Sequence, residues 1–132
     1  MKNIFLSIFA TVALASCSSL SSTKVGGSQA NIAGTKWILA EQVKGKTPTL
    51  NIETDKITGN GGCNSYFGEV LLDATAGNFS AKNIGSTKMA CADMSVESNF
   101  FSMLSEANKY VVNGNTLELY KGNLLLLKFS KQ

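Results

Sequence analysis

From residue 34 to residue 132 the apolar side chains mostly recur at steps of two, and one segment breaks that rule. Between residues 93 and 108, Val96, Phe100, Met103, Leu104 and Ala107 recur at steps of three and four, with Phe101 widening the stripe. Steps of two alternate between the faces of a strand, whereas steps of three and four line one side of a helix. A chain of many short strands and one amphipathic helix must bury that helical stripe against its own sheet. Asp93 or Ser95 can cap the helix. The same phenylalanines and methionine could line a ligand space, but packing against a sheet is the simpler use of them.

Five strands are expected before the helix, at residues 37–40, 50–53, 56–58, 66–72 and 79–84, and three after it, at 110–112, 116–120 and 124–129. Gly45 and Pro48 punctuate the first loop, and Asn113-Gly114 is a strong hairpin signal. The expected fold class is α+β. A strongly curled, mostly antiparallel sheet of about eight short strands, open and barrel-like, carries one helix inserted after the fifth strand.

The first residues speak to compartment. Lys2 precedes an apolar run from Ile4 to Ala15 that only Ser7 and Thr11 interrupt. A membrane-spanning helix needs about 20 apolar residues, so this run reads as an export signal. It ends in Leu14-Ala15-Ser16-Cys17, which has the form of a lipobox: an aliphatic residue, two small residues and a cysteine that receives lipid. Residues 1–16 are thus expected to be a lipoprotein signal peptide and Cys17 the lipidation site. The plainer alternative is an ordinary secretory signal followed by a coincidental cysteine. Residues 17–33 contain little to bury and are expected to form a flexible tether, leaving residues 34–132 as the folded domain. Ser18 and Ser19, with no aspartate after the cysteine, favour the outer membrane, the domain facing the periplasm. The expected location is the bacterial cell envelope, with the lipid on Cys17 as the contact to the membrane.

Composition excludes several function classes. The chain carries 12 lysines, no arginine, nine acids and no histidine. Scattered lysines without arginine make a solvated surface rather than a nucleic-acid footprint, so no nucleic-acid partner is expected. Without histidine there is no Ser-His or Cys-His nucleophile pair and the usual zinc ligand is missing. No enzyme activity, metal or cofactor is expected.

The stretch ITGNGGCNSYFG, residues 57–68, is the most glycine-rich of the chain. It lacks the third glycine of a dinucleotide fingerprint, a strand follows it, and the Gly-Lys-Ser/Thr of a phosphate loop is absent. With Cys17 used for lipid, Cys63 and Cys91 are the remaining cysteines, and in an oxidising envelope such a pair is expected to close. The alternative is two buried, unpaired thiols acting as small apolar groups.

Taken together, Trp37-x-Leu39, Pro48, Gly59-x-x-Gly62-Cys63-Asn64-x-x-x-Gly68, Thr87-Lys88-Met89-Ala90-Cys91, Glu97 before Phe100, Leu104, Tyr110 and Leu117-x-Leu119 resemble the META domain family. That family includes the heat-shock-inducible HslJ lipoproteins. The resemblance runs over residues 34 to 130, and Lys88 stands where the family often has arginine. It implies a small, open barrel-like sheet with one helix, an association with envelope stress and novobiocin tolerance, and no enzyme activity. The architecture also resembles the cracked barrel of secretin pilotins, which bind lipid or a partner peptide.

Three functions follow as expectations. The first is a non-catalytic envelope lipoprotein that supports stress or drug tolerance by contact with an envelope protein. The second is a pilotin-like module holding a small apolar ligand, an acyl chain or an apolar peptide, within the curled sheet, with Phe79, Phe100, Phe101, Met103 and residues 124–127 lining it. The third, an enzyme using Cys63 or Cys91, is the least expected.

Overall fold

Alternating inward and outward side chains build eight strands: β1 (Thr35–Leu39), β2 (Thr49–Ile52), β3 (Lys56–Asn60), β4 (Ser65–Asp73), β5 (Asn78–Ser86), β6 (Lys109–Asn113), β7 (Thr116–Lys121) and β8 (Leu124–Lys131). A single helix, α1 (Ser95–Glu106), lies between β5 and β6. The computed structural model describes residues 24–132. The expected signal peptide, Cys17 and residues 17–23 of the expected tether lie outside the described residues.

The strands form an antiparallel meander that closes into a barrel, because β1 pairs with β8 as well as with β2. The expected curl therefore goes to completion, with Leu39 set opposite Phe129 across the closing seam. Pairing of β1 with β8 removes the edges that the first and last strands of an open sheet would leave. The weakest joint is β5 to β6, where a single pair, Asn78 with Lys109, forms the bridge. Helix α1 is inserted there, so the upper part of β5 faces the helix rather than a strand.

The meander defines two ends. The upper rim carries the β1–β2 loop, the β3–β4 turn, the segment from β5 to α1 and the β7–β8 turn. The lower rim carries the β2–β3, β4–β5 and β6–β7 turns and the approach to β1.

Met94 is the N-cap residue of helix α1 and makes no side-chain cap bond. Asp93 holds the entry from one residue earlier, its carboxylate accepting the Ser95 N–H at 2.9 Å. The helix buries Glu97, Phe100 and Leu104 and ends where Ala107 turns extended. Val96 and Met103 are half-buried at the edges of the stripe.

Residues 24–33, which the sequence reading places in the tether, belong to the domain. Ile32 is buried in the core cluster and Gln29 is buried beside it. Gln29 donates its backbone N–H to Ala74 O at 2.7 Å and accepts the Val112 N–H on its side-chain oxygen at 3.1 Å. Tyr110 donates its hydroxyl to Ala30 O at 2.9 Å. This segment thus links the β4–β5 turn to β6 below the single bridge of the weak joint. Its composition hid the fact, because one isoleucine and one glutamine do the anchoring.

The interior is filled. Trp37, Leu50, Ile52, Ile57, Phe79, Phe100, Leu104, Tyr110, Leu117, Leu119 and Phe129 are essentially without solvent contact and belong to one cluster.

Candidate functional site

The upper rim gathers the polar chemistry of the molecule. Cys63, in the β3–β4 turn, is bonded to Cys91 in the segment before α1, with their Cα atoms 6.1 Å apart. Cys63 is buried and Cys91 is exposed. The disulfide therefore ties a loop without regular structure to the barrel wall.

Beneath it lies a buried carboxylate. Glu97 is 5% exposed, and one of its oxygens accepts the backbone N–H groups of Cys63 and Asn64. Its other oxygen accepts the Asn64 side-chain amide at 2.8 Å. Asn64 turns its remaining capacity to the next segment: its oxygen accepts the Met89 N–H and the Thr87 hydroxyl, and its amide also donates to Met89 O at 3.1 Å. Turn, helix and loop are thus joined through two side chains. Burial pushes the Glu97 carboxyl up. The hydrogen bonds from Asn64 and Cys63, with the Lys88 ammonium nearby, outweigh burial and hold it below the usual carboxylate range.

The glycines before Cys63 serve this arrangement. A Cβ on Gly61 would sit 2.7 Å from the Phe101 ring, and Gly62 adopts φ 121°, a conformation L side chains rarely take. The turn lets helix α1 approach closely enough for Glu97 to reach it.

Two concave surfaces flank the site. A groove of about 300 Å³ runs between α1 and the β1–β2 loop, with Leu39, Val43, Val96, Phe100, Met103 and Leu127 as its apolar lining. A wider cleft of about 710 Å³ lies beside the disulfide, between Lys44, Lys46 and Asp93.

Of the residues expected to line a ligand space, Phe79 and Phe100 are buried in the core and Phe101 packs against Tyr66 with ring centroids 5.4 Å apart. Leu124 and Leu125 point outward, exposed by 63% and 44%. Leu127 is the inward residue of that run. Phe100, Met103 and Leu127 share the groove outside the barrel beside α1, and Phe79, Phe101, Leu124 and Leu125 are not part of its lining. Sequence reasoning did not assign Glu97 and Asn64 a role. The signal was present: a carboxylate beside the apolar stripe of a helix that must be buried needs partners, and Asn64 follows the paired cysteine.

A closed antiparallel barrel, a helix over its upper end and a disulfide-tied rim centred on a buried glutamate define a small barrel domain of one kind. The chain belongs to the META domain family, whose profile matches residues 23–132. The match begins where the packed N-terminal segment begins. Among solved structures, an NMR structure of a protein from Burkholderia xenovorans is similar with a TM-score of 0.65 at 24% identity, covering 76% of this chain and 83% of that one. A second NMR structure is similar with a TM-score of 0.57 at 22% identity, covering 74% and 88%. At these identities the likeness concerns the fold. Among curated proteins no relative matches the chain.

Proposed function

We propose that this META domain protein is a non-catalytic envelope lipoprotein, anchored through lipid on Cys17 at the outer membrane, that supports envelope stress or drug tolerance by contact with another envelope protein. The filled barrel interior carries this reading. Side chains of the core cluster occupy the space that a substrate or acyl chain would need, which leaves the outer surface for recognition. The buried polar groups favour the same view, since the hydrogen bonds of Glu97 and Asn64 are spent on joining the turn, the helix and the loop.

The groove beside α1 favours one second reading, in which an apolar peptide or acyl chain binds on the outside of the barrel rather than within it. Native mass measurement of the protein purified from membranes distinguishes the two. A mass equal to the lipidated chain supports action by contact, and a co-purifying lipid or peptide supports the groove. Loss of drug tolerance on deletion, restored by the wild-type protein and not by Cys17→Ala, is the expected phenotype. Full restoration by Cys17→Ala would overturn the anchored role.

A further inference from the structure

We propose that the disulfide of the upper rim is an exchange-active bond, opened at Cys91 by the dithiol of a partner protein and closed again on an intact barrel. Exchange requires a path by which a thiolate can reach a sulfur, and which sulfur it reaches governs the outcome. Here both cysteines form part of the wall of the cleft of about 710 Å³ beside the β1–β2 loop. Seven consecutive residues, 87–93, are exposed, and Cys91 is among them. Cys63 is only 8% exposed, on the barrel side of the bond. Access therefore directs attack to the Cys91 sulfur.

The charges lining the cleft favour an approaching thiolate. Lys44 and Lys46, both exposed on the β1–β2 loop, share it with a single acid, Asp93. The Asp93 carboxylate is already engaged by the Ser95 N–H. A thiolate carries negative charge into the cleft, and neighbouring ammonium groups stabilise it there.

The opened state has its parts in place. In the disulfide the Cys63 sulfur carries no proton, yet the Met89 carbonyl oxygen lies 3.6 Å from it. Reduction gives Cys63 an S–H that can donate to that oxygen. Asn64, the next residue, holds Met89 through its N–H and its carbonyl, and holds the Thr87 hydroxyl as well. Glu97 holds the Cys63 and Asn64 N–H groups. None of these bonds uses a sulfur of the disulfide. They keep Met89 on the turn when the bridge is open, so Cys91 stays two residues from a fixed point and the pair can close again.

A partner thiolate attacks the Cys91 sulfur, the Cys63–Cys91 bond breaks, and the Cys63 sulfur leaves with the electron pair and takes up a proton. The partner's second thiolate then attacks the partner sulfur of the mixed disulfide, and the Cys91 sulfur leaves and is protonated in turn. The partner dithiol is oxidised to a disulfide, and the domain gains two electrons and two protons. This chemistry lies within the described residues and does not depend on the lipid at Cys17.

The test uses the full oxidised chain, with reduced thioredoxin as the probe protein dithiol and glutathione as the trapping thiol. Reduction is expected to accelerate in proportion to thioredoxin concentration. The fluorescence of Trp37, the single tryptophan and a buried one, is expected to stay that of the folded barrel throughout. Peptide mapping after brief exposure to glutathione and acid quenching is expected to place the adduct on Cys91. The double variant Lys44→Gln, Lys46→Gln is expected to be reduced several-fold more slowly while its oxidised form melts as the wild type does. A reduction rate fixed at the global unfolding rate, whatever the thioredoxin concentration, marks a purely structural bond and overturns the proposal. An adduct confined to Cys63, or a reduced chain that has lost the folded fluorescence, overturns it equally.

Discussion

Glu97 shows how much one side chain can decide. A carboxylate 5% exposed is stable in a small barrel only because three N–H groups converge on it. Glu97→Ala leaves the Cys63 and Asn64 N–H groups without that acceptor, and an expected cost of roughly 2–4 kcal/mol follows. Its pH dependence has a definite sign. The folded carboxyl value lies below that of the unfolded chain. The ionised group thus stabilises the fold in full above the unfolded value of about 4.3, and this contribution is lost as pH falls through the folded value. Asp73, Asp93 and Glu106 are lowered too, through hydrogen bonds at the surface. The readout is therefore the difference between wild type and Glu97→Gln in urea midpoint between pH 7 and pH 3. The wild type is expected to lose more stability, and parallel curves would remove Glu97 from the account.

At the scale of elements, α1 is the lid of the upper end and β5 to β6 is the joint it covers. The Phe100 ring lies 5.7 Å from Tyr66 and 6.3 Å from Phe129, so the helix is fixed to opposite walls of the barrel. Phe100→Ala is expected to cost about 3–5 kcal/mol in chemical denaturation, since the ring is 1% exposed. A loss below about 1 kcal/mol would mean that the helix rests on the barrel without closing it. The upper part of β5 has no strand on its helix side, yet it carries edge protection: exposed Lys82, and Asn83 at φ 52° where the pairing with β4 shifts register. With one bridging pair, amides at this joint, Phe79 and Tyr110, are expected to exchange with deuterium earlier than those of the fully paired β7 and β8. Uniform protection around the barrel would contradict a weak joint.

At the scale of the molecule, two ties act outside the barrel's own pairing. The disulfide closes a separation of 28 residues, for which chain entropy predicts a contribution of about 3.5 kcal/mol. Reduction is expected to lower the melting temperature, and an unchanged value would show that the Asn64–Glu97 network alone sets the rim. The second tie is the N-terminal segment. A soluble form starting at residue 34 loses Ile32, which is 1% exposed, and the Gln29 bonds to Ala74 and Val112. It is expected to be less stable than a form starting at residue 24 by at least about 2–5 kcal/mol, the range for removing a buried isoleucine. Equal stability of the two forms would return residues 24–33 to the role of tether.

Local pattern alone determined where the strands lie along the chain, the position of the helix and the class of the fold, because side-chain period and turn residues act within a few positions of each other. Residues 116–120 read as a strand from alternation, and Leu117 and Leu119 do face inward. The pairing of Cys63 with Cys91 was legible for a different reason: one partner remained once Cys17 was set aside. Three things were decided only by tertiary structure. Closure of the sheet depends on Leu39 meeting Phe129, residues 90 positions apart, which no local period encodes. The role of Glu97 depends on N–H groups brought to it from a turn more than 30 residues earlier. The N-terminal segment joins the domain through Gln29 and Ile32, whose polar and small neighbours look like linker. Such a stretch becomes structure only where a folded surface already offers a pocket for the isoleucine and backbone partners for the glutamine.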